Sequence, residues 1–264
     1  MKNSLSYRIF GQIFFLTAVF MCLYPIAQMI VESLKRDGIA NYAVVFERVN
    51  LLPNFMTSLY VVGGTLILVS IVTSLAAFSF SKLQFPAKNQ IYYLLLAGMM
   101  IPTSAIIFPL FQIVKGLSLN NTPLALIFPY VTLNSIFNLM VLRNFYDGLP
   151  NEMIEAAQID GANYSRIFLT IMLPLSLPGL SIVLIQTFLS AWNELQMAMT
   201  FINNPNLQPL SVVPMRFIQE GVSAQYSIAV RYACLVVCLC PILVFYVAAQ
   251  RLLIEGITQG AVKG

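Results

Sequence analysis

Leu149-Pro150-Asn151-Glu152-Met153-Ile154-Glu155-Ala156-Ala157-Gln158-Ile159-Asp160-Gly161, running on to Ile171-Met172-Leu173-Pro174, is a polar island between two long apolar runs. Pro150 stands where a first helical turn tolerates a missing N–H, and Glu152 and Glu155 stand where the positive end of a helix dipole favours anions. Gly161 can take the left-handed turn that ends a helix. The pattern predicts a short surface helix of about three turns, over about 150–161. Ala156 and Ala157 keep its centre small enough for another protein's backbone to approach, while Glu155 and Asp160 place charge at its edges. The island reads as a docking element held outside the membrane by the apolar runs on either side.

Those runs dominate the chain. Its 264 residues are 59% hydrophobic and 9% charged, with no histidine, whereas a soluble domain is about 25% charged. The solvent here is lipid. Hydrocarbon about 30 Å thick needs roughly 20 apolar residues per crossing helix. Six stretches meet that length, at about 10–31, 56–80, 91–114, 123–142, 171–191 and 229–254. The expectation is an all-α, polytopic membrane protein forming one domain. The first run is too long for a signal-peptide core and lacks a small-residue cleavage site, so it reads as a retained span. Cys22, Cys234, Cys238 and Cys240 all fall inside predicted spans without metal-ligand or disulfide-framework spacing, and read as packing residues.

The net charge of +4 is scattered over short loops and not clustered, which argues against nucleic acid. Lys82, Lys88, Arg143, Arg166 and Arg251 lie near one set of helix ends, and the positive-inside tendency places that side and both termini in the cytoplasm. Between spans, 32–55 carries mixed charge and an amphipathic segment, and 192–228 holds Pro205, Pro209 and Pro214, which should break it into turns and short helices. Prolines 25, 102, 109, 129, 174, 178 and 241 lie within or near spans, so kinked helices are expected. Gly63, Gly64, Ser70, Thr73 and Ser74 give the second span a face of small residues for close helix packing.

No G-x-x-x-x-G-K-[ST] phosphate loop occurs. No predicted span carries an ionisable residue near its middle; Glu32, Glu194 and Arg231 sit toward the margins. A mid-membrane charge costs about 3 kcal/mol on insertion scales, and ion-driven pumps usually accept that cost to build a relay. Any pumping energy must therefore enter from another subunit, mechanically, through the docking element.

Glu155-Ala156-Ala157, Gly161 four residues later, and Ile171 with Leu173-Pro174 together resemble the coupling-loop (EAA) signature of bacterial ABC-importer permeases. Met100-Ile101-Pro102, Phe145-Tyr146 before Leu149-Pro150, Ile159-Asp160-Gly161, Trp192-Asn193 and Gly256–Gly264 are similar to its carbohydrate branch, specifically the second maltose-type permease subunit. The likeness covers essentially the whole chain. It implies the type I importer permease fold with six transmembrane helices in a bacterial cytoplasmic membrane. It also implies a heterodimer with a second, similar permease, two ATPase subunits and an extracytoplasmic sugar-binding protein. No cofactor would be bound by this chain: ATP and Mg would sit on the ATPases, and the chain itself would not be an enzyme. Glu152, Glu155, Ala156, Ala157, Asp160 and Gly161 would couple to the ATPase. The tail Gly260, Ala261, Val262, Lys263, Gly264 would reach toward the ATPase interface, and alternating access would carry a sugar or oligosaccharide.

Substrate contacts are less specific. Tyr130, Asn134 and Asn138 share one face of the fourth span, and Gln186, Ser190 and Asn193 nearly share one on the fifth. Amides and an aromatic ring suit sugar hydroxyls and pyranose faces, and equally suit bonds to neighbouring helices. Trp192 reads as an anchor at the outer interface. Importers of a polyol, glycerophosphodiester or amino acid share the architecture, and a stand-alone channel or secondary transporter is the alternative from another class. Asn163 or Ser165 would cap the helix that leads into the fifth span.

Overall fold

The computed structural model describes residues 5–219 and 227–261. Among them the chain is helices joined by turns, with no strand. In chain order the helices are α1 (Leu5–Ser33), α2 (Ala40–Arg48), α3 (Leu51–Lys82), α4 (Lys88–Ala97), α5 (Thr103–Gly116), α6 (Leu124–Asp147) and α7 (Glu152–Ile159). There follow α8 (Tyr164–Ile167), α9 (Leu173–Leu175), α10 (Leu177–Asn193), α11 (Gln196–Phe201), α12 (Val213–Gln219) and α13 (Ile228–Ala261). Four of them are long and apolar enough to cross a membrane, over Ile9–Ser33, Leu51–Lys82, Leu124–Asp147 and Ile228–Val247. They are apolar around most of their circumference, which is how a helix reads when lipid is the solvent.

Two expected crossings are not single helices. The stretch 91–114 is split: α4 runs through a 3-10 turn at Gly98–Met100, the chain breaks at Ile101-Pro102, and α5 departs at 103°. The proline imposes this, because the residue before it is pushed out of the helical region; Ile101 is extended at φ −81, ψ 118. The stretch expected at 171–191 begins earlier, at Tyr164, passes through a π turn at Phe168–Met172 and bends by 75° between Leu175 and Leu177. Pro178, in the first turn of α10, has no N–H for the carbonyl of Pro174. The Ser176 hydroxyl at that bend donates to the Leu173 carbonyl at 2.9 Å and lies 3.1 Å from the Tyr146 hydroxyl. Pro25, Pro109, Pro129 and Pro241 sit inside helices without ending them.

One domain is the expectation from sequence; by contacts the chain divides into two compact units, Met1–Leu51 with Val213–Leu243, and Leu52–Val212 with Val244–Gly264. In the first unit, the spanning stretch of α1 is 0% buried. The turn after it is locked by Asn41 of α2, whose amide donates to the carbonyls of Ser33 (2.9 Å), Lys35 (2.9 Å) and Gly38 (3.1 Å).

The second unit holds a core built from α3, α4, α6, α7 and the α8–α10 chain, centred on Phe78, Tyr146, Ile154, Ile167, Phe168 and Met172. Phe78 meets Tyr146 edge-on at 6.4 Å and Phe168 at 5.4 Å. Several hydroxyls on α3 are satisfied by their own helix, as in Thr65 to Val61 (2.7 Å) and Thr73 to Val69 (2.6 Å), whereas the buried Ser74 hydroxyl has no partner. At the far end, Asn54 donates to the carbonyls of Pro205 (2.7 Å) and Gln208 (2.6 Å), and Ser58 accepts from Leu210 N (2.8 Å). These bonds hold the short helices after α10 against α3. Trp192, expected at the lipid interface, is instead buried, stacked on Phe188 at 5.3 Å and edge-on to Phe55 at 6.3 Å.

Candidate functional site

The polar island emerges from α6 through a turn clasped by the end of α3. Lys82 Nζ donates to the Leu149 carbonyl at 2.7 Å and to Asn151 Oδ1 at 2.8 Å, and Ser81 Oγ donates to Asp147 Oδ1 at 2.6 Å. Arg143 lies over the Tyr92 ring at 3.8 Å and 3.5 Å from Asp147 Oδ2. These seven residues tie α3, α4 and α6 to the entry of the island. None of these bonds is visible as a motif; the only sequence signal is a lysine and a serine closing an otherwise apolar run.

The helix itself, α7, has 8 residues, about 12 Å at 1.5 Å per residue, shorter than the expected three turns. Pro150 stands outside it, before the N-cap Asn151, whose carbonyl accepts from Ile154 N (2.9 Å) and Glu155 N (3.1 Å). Its end is a Schellman turn: Ala162 N donates to Ala157 O at 2.9 Å, Gly161 N donates to Gln158 O at 3.0 Å, and Gly161 has φ +79. Asn163 then caps α8, its Oδ1 accepting from Arg166 N at 2.9 Å.

Ile154 and Ala157 are buried against the core, while Glu152, Glu155, Ala156, Asp160 and Gly161 are exposed. Ala157, expected beside Ala156 on the docking face, is thus turned inward. Adjacent helical residues stand 100° apart, and it is the spacing of three from Ile154 that sets its direction. The outward row at i, i+3, i+4, i+7 is Glu152, Glu155, Ala156 and Ile159, and Ile159 is 87% exposed. Ile159 completes that row but is not among the coupling candidates named from sequence. Asp160 sits at the negative end of the helix dipole, where a carboxylate does not help the helix. The knob is therefore small, anionic and tipped with one isoleucine.

The polar rows on α6 and α10 are not brought together. Tyr130 is buried and donates to Glu194 Oε2 at 2.6 Å; Glu194 also accepts from Met197 N (2.8 Å) and Ala198 N (3.1 Å), capping α11. Asn134 donates to its own helix at Tyr130 O (2.8 Å), and Asn138, also buried, donates to Thr187 Oγ1 at 2.8 Å. Gln186, Ser190 and Asn193 are exposed on the opposite face of α10. Thr187, the partner of Asn138, is not singled out from sequence, and Glu194, the partner of Tyr130, reads there only as a charge at a span margin. In the tail, Gly260 and Ala261 end α13, and Val262, Lys263 and Gly264 lie outside the described residues.

Residues 67–259 match the family described as the binding-protein-dependent transport system inner membrane component. The diacetylchitobiose uptake system permease protein NgcG of Streptomyces coelicolor is 32% identical over 225 residues, 84% of this chain and 74% of that protein. The trehalose/maltose transport system permease protein MalG of Thermococcus litoralis is 29% identical over 259 residues, 92% of each. Among solved structures, a chain from a bacterial ABC transporter involved in the import of the acidic polysaccharide alginate superimposes with a TM-score of 0.80 at 20% identity, covering 95% of this chain and 99% of that one.

Proposed function

Because this chain belongs to the family of binding-protein-dependent transport system inner membrane components, we propose that it is one of two permease subunits of an ATP-driven importer for a sugar or oligosaccharide. The relatives named for diacetylchitobiose and for trehalose and maltose support the solute class. Its partners are a second, similar permease, two ATPase subunits that carry ATP and Mg, and an extracytoplasmic sugar-binding protein. It lies in the cytoplasmic membrane with both termini inside.

The observation that carries the proposal is α7, whose inner face is anchored in the core while its outer row is left to another protein. Glu152, Glu155 and Asp160 make that surface anionic, so its partner is a cleft with basic walls and an apolar floor for Ile159. The Lys82 bonds join the island to α3 and the Ser81 bond joins α3 to the end of α6, giving a push on α7 a route to two spanning helices. Alternating access follows from such a push: the path opens outward when the ATPases close and inward when they part. Gln186 and Ser190, exposed on α10, and Asn193, exposed although its amide donates to the Leu189 carbonyl at 2.8 Å, are the path residues of this chain; Asn138 ties α6 to α10, and Tyr130 ties α6 to Glu194, which caps α11.

The test is reconstitution of the four components in proteoliposomes, following labelled disaccharide uptake and ATP hydrolysis together. Uptake should require ATP, and sugar-loaded binding protein should stimulate hydrolysis. Solute flux through this chain alone without ATP would overturn the proposal in favour of a channel, and stimulation by a polyol, glycerophosphodiester or amino acid would reassign the solute.

A further inference from the structure

A cavity of about 600 Å³ opens where the apolar stretch of α1 ends and that of α13 begins, within the first unit. Its polar wall is Glu32, Lys35, Arg36, Ser227 and Arg231. Glu32 is already engaged by Lys35 in an ion pair, which leaves two guanidinium groups facing the space. Arg231 Nε is buried and has no hydrogen-bond partner. An arginine that merely snorkels at a membrane surface keeps its nitrogens in water; Arg231 is half-buried and its buried Nε donor is unanswered, so an acceptor belongs beside that nitrogen.

The other wall is preorganised. Asn41, buried, fastens the turn through its three carbonyl bonds, and within that turn Arg36 is held at φ +67, a left-handed conformation that non-glycine residues seldom adopt. Such a turn persists only because its surroundings over-determine it, and what it presents is a cation.

We propose that this cavity binds the phosphodiester of an anionic phospholipid. Planar guanidinium forks match the oxygens of a phosphodiester, and basic pockets between membrane helices are suited to acidic headgroups. A lipid is favoured over a soluble anion because the spanning stretch of α1, which ends at the cavity, is 0% buried, and Ile228 of the lining, with Val31 and Leu34 beside Glu32 and Lys35 in the chain, stands exposed as apolar surface. Acyl chains lie along that surface while the headgroup sits against Arg36 and Arg231. The site is independent of sugar transport.

The experiment uses the full-length chain, delipidated in detergent and titrated with phosphatidylglycerol, phosphatidylcholine or soluble glycerol phosphate, with bound adducts counted by native mass spectrometry. Phosphatidylglycerol should bind at least tenfold more tightly than either comparison ligand, and Arg36→Gln with Arg231→Gln should abolish the difference while Lys115→Gln leaves it intact. If the double variant misfolds by circular dichroism, Arg36→Lys with Arg231→Lys keeps the charge and should still weaken binding through loss of the fork. Unchanged phosphatidylglycerol binding in the folded variants overturns the proposal. So does equal binding of glycerol phosphate, which makes the ligand a free anion, or unchanged lipid binding coupled to loss of an acidic extracytoplasmic protein.

Discussion

Replacing Gly161 with alanine isolates the geometry of the turn that ends α7. The residue sits at φ +79, and a β-carbon built there meets nothing within 4 Å, so no clash enters and the cost is conformational alone. For an L-residue in the left-handed region that cost is about 1–2 kcal/mol. The turn is closed by the bonds from Ala162 N to Ala157 O (2.9 Å) and from Gly161 N to Gln158 O (3.0 Å). Their opening free energy should fall by the same amount, making exchange of these two amides roughly 5–30-fold faster in Gly161→Ala. Asparagine, which enters the left-handed region more readily, should accelerate exchange less. The assay is hydrogen–deuterium exchange on the purified chain, paired with sugar uptake per ATP hydrolysed in the reconstituted importer. Uptake per ATP should rank glycine above asparagine above alanine. Equal exchange at Ala162 in the glycine and alanine forms would refute the turn-strain reasoning, and equal uptake per ATP despite faster exchange would detach the turn from coupling.

Three other changes probe different elements. Glu155→Lys reverses charge on the outward row of α7 and should leave insertion intact while abolishing sugar-stimulated hydrolysis; normal stimulation would remove the docking role. In Gly179→Val a β-carbon would fall 2.9 Å from Phe145 Cγ, an overpacking worth about 1–3 kcal/mol; thermal unfolding should show that loss, largely restored by adding Phe145→Ala, and no rescue would mean the strain lies elsewhere. Asn138→Leu and Thr187→Val each remove the same 2.8 Å bond, so the double variant should lose less than the sum of the singles, with a coupling of about 0.6–1.7 kcal/mol. Sugar KM should stay unchanged in that pair and rise in Gln186→Ala; a raised KM in the pair would return Asn138 to the sugar path.

What could be read without coordinates was local. Glu152 and Glu155 at a helix start, Gly161 at its end and Asn163 as the next cap depend on a few consecutive residues, and each stands where its own chemistry puts it. The apolar runs were legible for the same reason, since crossing length is a property of one segment. Direction was not legible. Nothing between Glu155 and Gln158 says that Ala157 turns inward; that depends on Ile154 finding a pocket between distant helices. Tyr130 and Asn138 look like sugar ligands until Glu194 and Thr187, 64 and 49 residues away, take their hydrogen bonds. The breaks at Pro102 and Ser176 lay between: proline marked the places, but the size of each bend follows from how the two legs pack.

A backbone that swings through 103° between Met100 and Thr103 interrupts the helical ladder: Ile101 N still reaches Gly98 O at 3.3 Å and Ala105 N reaches Pro102 O at 3.0 Å, but a helix end leaves more backbone groups than these two bonds can satisfy. Oil has nothing to give such groups. Met100 is 86% exposed and Ile101 54%, so this chain leaves the corner uncovered. Such a corner is stable at membrane depth only against water or another protein surface, so acyl chains are the one neighbour it cannot have.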